Sequence, residues 1–231
     1  MWRLAGRCLI FVLCAVTCFI RPKTFAVLNG MSFLKSFNAL HLLWAIWVVD
    51  MLLQLIPIKN QLPLGSQKLF ANRFKPIREK INHKSLRAYI VATTKAAYKV
   101  LVLWCLLLAV IGLLYFTGVI NKPALFMFSV LFYVCDLICV LIWCPFRLLM
   151  KNRCCTTCRI FNWDHLLMFS PLVFMGGLYA LSLVVLSLLV WLVWELCVLT
   201  YPERFWDKSN AALKCTECVD KLCTQYCQKL R

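Results

Sequence analysis

The stretch VLVLWCLLLAVIGLLYFTGVI, residues 100–120, carries no charged side chain and no proline. About twenty apolar residues in a row is the length a helix needs to cross the hydrocarbon core of a bilayer. The turn Asn121-Lys122-Pro123 follows at once, and a second apolar run, Ala124 to about Leu149, returns from it. This pair predicts a transmembrane hairpin. Cys144-Pro145 near its end should kink or stop the second helix, because proline removes a backbone donor and clashes with the preceding turn.

The composition around this hairpin agrees. Of 231 residues, 63% are hydrophobic and 15% charged, whereas a soluble domain carries about 45–50% apolar and about 25% charged residues. Further apolar stretches run from Leu4 to Ile20, with Arg7 inside it, and from Ala39 to Ile58, with Asp50 in its middle. The first has a basic start and an apolar body, like a secretory signal. Its best cleavage site, Val16-Thr17-Cys18, is poor, so an uncleaved first span is favoured. The last region, His165 to Thr200, is too long for one span and slightly short for two. Pro171 and Gly176-Gly177 interrupt it, which predicts either a hairpin of two short helices or one span with a re-entrant segment. The fold expected is all-α: a polytopic helical membrane protein of about six transmembrane helices.

Charge sets the orientation. The net charge is +17, and the lysines and arginines crowd the connections between apolar runs. With six spans and a cytosolic N-terminus, 22 of the 26 basic residues fall inside; with five spans the division is 16 to 10. Excess Lys and Arg mark cytoplasmic loops, so six spans in the cell membrane, with both termini cytosolic, are expected. No basic zinc finger, RNP motif or basic heptad helix is present, and a nucleic-acid partner is not expected.

Six segments follow: 1–58, two spans with an external loop; 59–99, a basic cytosolic or interfacial stretch; 100–150, the hairpin; 151–164, a cysteine loop; 165–200, a hairpin or span plus re-entrant segment; and 201–231, a Cys-rich cytosolic tail. Within residues 65–99 the apolar side chains Phe70, Phe74, Ile77 and Ile81, then Leu86 and Ile90, recur at helical spacing among basic ones. One or two amphipathic helices lying on anionic headgroups would give this pattern, and so would a solvated basic loop.

Of the 15 cysteines, Cys8, Cys14, Cys18, Cys105, Cys135, Cys139 and Cys197 sit in apolar runs, where a thiol behaves as a small hydrophobe. A second group is clustered and polar-flanked. Cys155-x-x-Cys158 and Cys215-x-x-Cys218 have the knuckle spacing that aims two thiolates at one metal, and two knuckles close a tetrahedral structural zinc site. Cys154, Cys223 and Cys227 are spare ligands, and the four tail cysteines alone form a rival site. An iron–sulfur cluster fits the spacings less well. Reduced thiols, or disulfides if the tail is extracellular, are the plain alternative. The knuckles can share a metal only if the stretch between them begins and ends on one membrane face.

The run Cys154-Cys155-Thr156-Thr157-Cys158-Arg159-Ile160-Phe161-Asn162-Trp163-Asp164 resembles a motif in a group of uncharacterised bacterial membrane proteins. In them Cys-Cys-x-x-Cys-Arg-Ile precedes an aromatic residue and Asn-Trp-Asp. Pro202-Glu203-Arg204-Phe205 leading into a Cys-x-x-Cys tail is similar too, and the likeness covers loosely residues 40–225. It implies membrane embedding and carries no activity.

Asp50, Asp136 and Glu195 lie within apolar runs, where an ionisable residue points to function. Counted from their outer helix ends, Asp50 is about eleven residues in and Asp136 about twelve, so their depths match at about 1.5 Å per residue. No basic residue is expected at that depth, which makes the pair a candidate ion or proton site. The bland reading is a neutral pair that fixes helix packing, and Glu195 is expected to reach water. Cys144-Pro145 resembles the Cys-Pro element of heavy-metal pumping ATPases, without their soluble parts. Asp164 and His165, adjacent in sequence, are not expected to face each other on a helix. His41, His83 and His165 make no catalytic spacing. The leading expectation is a non-enzymatic scaffold or assembly protein with a structural zinc, engaging other membrane proteins. The second is a small cation- or proton-coupled transporter using Asp50 and Asp136.

Overall fold

The computed structural model describes residues 2–56, 68–77, 82–152 and 154–214. Its helices are α1 (Trp2–Ile20), α2 (Ser32–Lys35), α3 (Ala39–Leu55), α4 (His83–Phe116), α5 (Lys122–Leu141), α6 (Phe146–Met150), α7 (Asp164–Phe169) and α8 (Gly177–Thr200), with 3-10 turns between them. Among the described residues there is no strand, only an isolated bridge between Pro76 and Asn210.

Four helices, α1, α4, α5 and α8, are long and apolar enough to cross a membrane, and α3 is a shorter apolar helix of 17 residues. Their outer faces are those of a chain dissolved in lipid. On α4, Val102, Leu106, Val110 and Leu113 are more than half exposed, an apolar display that soluble proteins avoid. α4 and α5 flank the Asn121-Lys122-Pro123 turn, and α5 ends at Leu141, before Cys144-Pro145.

Two expectations change. Residues 83–99 are the first half of the 34-residue α4, not a separate helix. Residues 70–77 form no helix: Phe70 and Phe74 are extended around a single 3-10 turn, Ala71–Arg73. Pro76 explains this, since proline disfavours helical geometry in the residue before it and cannot donate to the helix ladder. Ile81 lies outside the described residues.

The 165–200 region is a short limb followed by one long helix. The limb is α7 plus the 3-10 turn Ser170–Phe174, eleven residues in all, with a rise of about 19 Å where a bilayer core measures about 30 Å. Gly176 (φ +64°) and Gly177 (φ +83°) make the bend as foreseen.

The chain divides into two compact units. The first comprises Met1–Leu52, Trp104–Ile138 and Asp164–Leu189. Its core is built on Trp47, fully buried, against the rings of Phe126, Tyr133 and Phe169. At one end of this unit three connections meet. Lys122 Nζ donates to Asn29 Oδ1 at 2.9 Å, and the Leu178 amide donates to the Gly30 carbonyl at 3.0 Å.

The second unit comprises Leu53–Leu103, Cys139–Trp163 and Val190–Arg231. Its described connections bind one another. The Lys75 amide donates to Asn210 Oδ1 at 3.2 Å, Arg204 Nη1 donates to the Leu69 carbonyl at 3.0 Å, and Thr156 Oγ1 donates to the Leu213 carbonyl at 3.1 Å.

Candidate functional site

In the first unit the apolar helices converge on a charged cluster. Arg7 of α1 donates Nη1 to Asp136 Oδ2 of α5 at 2.7 Å and also to the Tyr133 carbonyl at 2.7 Å, and its guanidinium lies 4.0 Å above the Tyr133 ring. His165, at the start of the short limb, places Nε2 3.2 Å from Asp50 Oδ2 and Nδ1 3.2 Å from Asp164 Oδ1. Its ring is buried, with the Phe169 ring 6.2 Å away. Asp164 and His165 also act electrostatically on Asp136, so the three carboxylates, the guanidinium and the imidazole form one group.

Asp50 and Asp136 do come into one cluster, as their matching depths suggested, but each carries its own cationic or ionisable partner. The expectation that no basic residue shares their depth fails at Arg7. Arg7 is thirteen residues from the Ile20 end of α1, and His165 is twelve from Gly177. Counting from those ends would have found both. Beside Arg3, Arg7 reads in the sequence as part of a basic N-terminal flank. Asp164 and His165 do meet, because Asp164 opens the helix and its side chain folds back on the ring.

In the second unit the motif loop 154–163 is held by buried polar bonds. Arg159 makes a two-pronged pair with Glu195, Nη1 to Oε1 at 2.8 Å and Nη2 to Oε2 at 2.5 Å. Trp163 Nε1 also donates to Glu195 Oε1 at 2.8 Å. Trp194 Nε1 donates to the Arg159 carbonyl at 3.0 Å, and Asn162 Nδ2 reaches Gln54 Oε1 at 3.5 Å. Glu195, expected to reach water, is instead the acceptor that anchors the motif. Glu195 lies one residue from Trp194 on α8, and the motif's own Arg and Trp are its partners. The sequence signal was the intramembrane acid itself.

Cys155 and Cys158 bracket a 3-10 turn in which the Cys158 amide donates to the Cys155 carbonyl at 3.1 Å. Arg147 Nη2 approaches Cys155 Sγ at 3.9 Å, and Cys154 Sγ is 2.8 Å from Thr156 Oγ1. Burial pushes the Cys158 thiol above its ordinary range. Beside it, Lys68 is fully buried, donates to the Cys158 carbonyl at 3.1 Å, and lies over the rings of Trp194 and Phe205 at 5.2 and 5.9 Å. Burial lowers its pKa to about 8. Outside the spans, Cys144 is lowered to about 7, first by a hydrogen bond with Cys139 and then by the amides of Phe146 and Arg147.

The other two knuckle residues, Cys215 and Cys218, and the spares Cys223 and Cys227 lie outside the described residues. Among the described residues no three His, Cys, Asp or Glu side chains are placed to hold a metal, and no disulfide joins the cysteines. In comparisons with known proteins, no family model matches the chain, and no curated protein or solved structure matches it.

Proposed function

We propose that the chain is a non-enzymatic membrane scaffold or assembly protein whose motif loop and tail form one cytosolic platform stapled by structural zinc. The observation that carries this reading is the bond from Thr156 Oγ1 to the Leu213 carbonyl. It ties the turn between Cys155 and Cys158 to a point two residues before Cys215 in the chain. At about 3.8 Å per residue, the two residues between that point and Cys215 form only a short tether. Four thiolates there close the metal's coordination and hold together a unit with a small core of its own.

Topology supports the same platform. α8 begins beside Gly30 in the connection between α1 and α3, and its 24 residues are enough to cross. The short limb before it, which follows the motif loop in the chain, is taken as the sixth crossing because the division of basic residues favours an even number. The total is then six crossings, with loop and tail on one face. The excess of Lys and Arg assigns that face to the cytosol of the cell membrane. The exposed Lys75, Lys84, Arg87, Lys95 and Lys99 would then face anionic headgroups.

Metal analysis of the purified full chain tests the staple. One zinc per chain is expected, lost in Cys155→Ser plus Cys218→Ser. A zinc-free protein, or zinc indifferent to both changes, would sink the platform.

A second reading, a small cation- or proton-coupled transporter using Asp50 and Asp136, is favoured by the charged cluster. The imidazole bridging Asp50 and Asp164 suits a proton better than a metal ion. Unchanged uptake in Asp136→Asn would remove it.

A further inference from the structure

We infer that His165 is a proton carrier between Asp50 and Asp164, within the first unit's charged cluster. The inference goes beyond the scaffold and rests on the transporter reading, to which it adds the moving ion and its path. Three observations carry it. Both ring nitrogens of a buried histidine meet carboxylates, each at 3.2 Å. The other carboxylate of the cluster, Asp136, is occupied by Arg7 at 2.7 Å. Asp50 has a side chain 39% exposed, against 4% for His165.

A buried imidazolium between two fixed carboxylates would serve packing alone, and two polar atoms argue for more. Trp47 Nε1 and Ser129 Oγ are buried without a protein partner. Trp47 is three residues before Asp50 on α3, and Ser129 is four before Tyr133 and seven before Asp136 on α5, so both lie on the faces that carry the cluster. Polar atoms in such a place take water, and they extend the cluster toward the end where α3 and α5 begin.

The step conserves charge. A protonated Asp50 gives its proton to Nε2 of a neutral imidazole that carries its hydrogen on Nδ1. The Nδ1 hydrogen passes to the Asp164 carboxylate. Asp50 is left ionised, Asp164 protonated, and the ring neutral in its other tautomer. Among the described residues, the ionisable groups bearing on this step include Arg3 and Arg7 from α1, Asp50 from α3, Tyr133, Cys135 and Asp136 from α5, and Asp164 beside His165 on α7. Arg7 occupies Asp136 at 2.7 Å, while the imidazole joins Asp50 to Asp164.

The test is proton flux by the full chain in liposomes loaded with a pH dye and driven by a valinomycin potassium potential. Wild type should acidify the lumen, and His165→Gln should fall to the protein-free rate. Asp164→Asn, which leaves the Asp50–His165 contact in place, should also lose flux, and Asp164→Glu should regain part of it. Elution as a single sharp species qualifies each variant, and Asp164→Asn decides if His165→Gln does not fold. Flux lost in Asp136→Asn but kept in His165→Gln and Asp164→Asn overturns the relay and leaves the transporter reading standing. A wild type no faster than empty liposomes overturns both.

Discussion

Arg159 commits two guanidinium nitrogens to Glu195, while its Nε is buried without a partner. Removing the carboxylate strands a buried cation, a change that typically costs about 3–5 kcal/mol. Glu195→Gln should therefore lower the melting temperature strongly, and Arg159→Met plus Glu195→Met should recover much of the loss. A single variant as stable as wild type would deny the pair its anchoring role. Lys68 makes a pH prediction. Its pKa falls from 10.5 to about 8 on burial, so between those values the unfolded chain holds a proton that the folded one releases. Lys68 therefore makes stability rise with pH across that window, and below it the penalty is fully present. Cys158, pushed up by burial, works oppositely above 9.0, so the informative quantity is the difference between wild type and Lys68→Met. That difference should narrow from pH 8 to 10.5 in thermal melts, and a constant difference would refute the assignment.

At the scale of elements, the bend before α8 depends on two glycines with different demands. Both have positive φ, but a Cβ on Gly177 would come within 2.8 Å of the Leu28 carbonyl oxygen, while Gly176 has open space. Gly176→Ala should cost about 1 kcal/mol from backbone strain. Gly177→Ala should cost more, because rigid backbone must also move. Equal melting temperatures for the two variants would show that the close approach to Leu28 is relaxed in the membrane. Elements were largely legible in the sequence where apolarity and breakers agreed. Residues 100–120, the Asn121-Lys122-Pro123 turn and the Cys144-Pro145 stop were all plain. The start of α4 was not, because its first half is amphipathic rather than apolar, and helical periodicity cannot say whether two helical stretches are one. The short limb was equally hidden: its eleven residues look like part of a longer span, and the pairing of His165 with Asp50 near its start depends on a contact between helices that the sequence does not spell out.

For the whole molecule, composition alone was enough to choose lipid as solvent, and the four long apolar helices agree. The candidate acids were legible as rare charges in apolar runs. Their partners were not, because which side chains meet across helices depends on rotation and packing that a single sequence leaves open. Arg7 is the clearest case, a residue at the right depth that reads as an N-terminal flank. The zinc reading depends on a global property, that the motif loop and the tail share one face while the α4–α5 turn is on the other. Epitope tags placed after Arg231 and within Asn121-Lys122 test that directly by protease protection in sealed vesicles of known orientation. The two tags should be cleaved from opposite sides, with the tag after Arg231 on the cytosolic one. Cleavage of both from the same side would contradict the shared platform and the six crossings together.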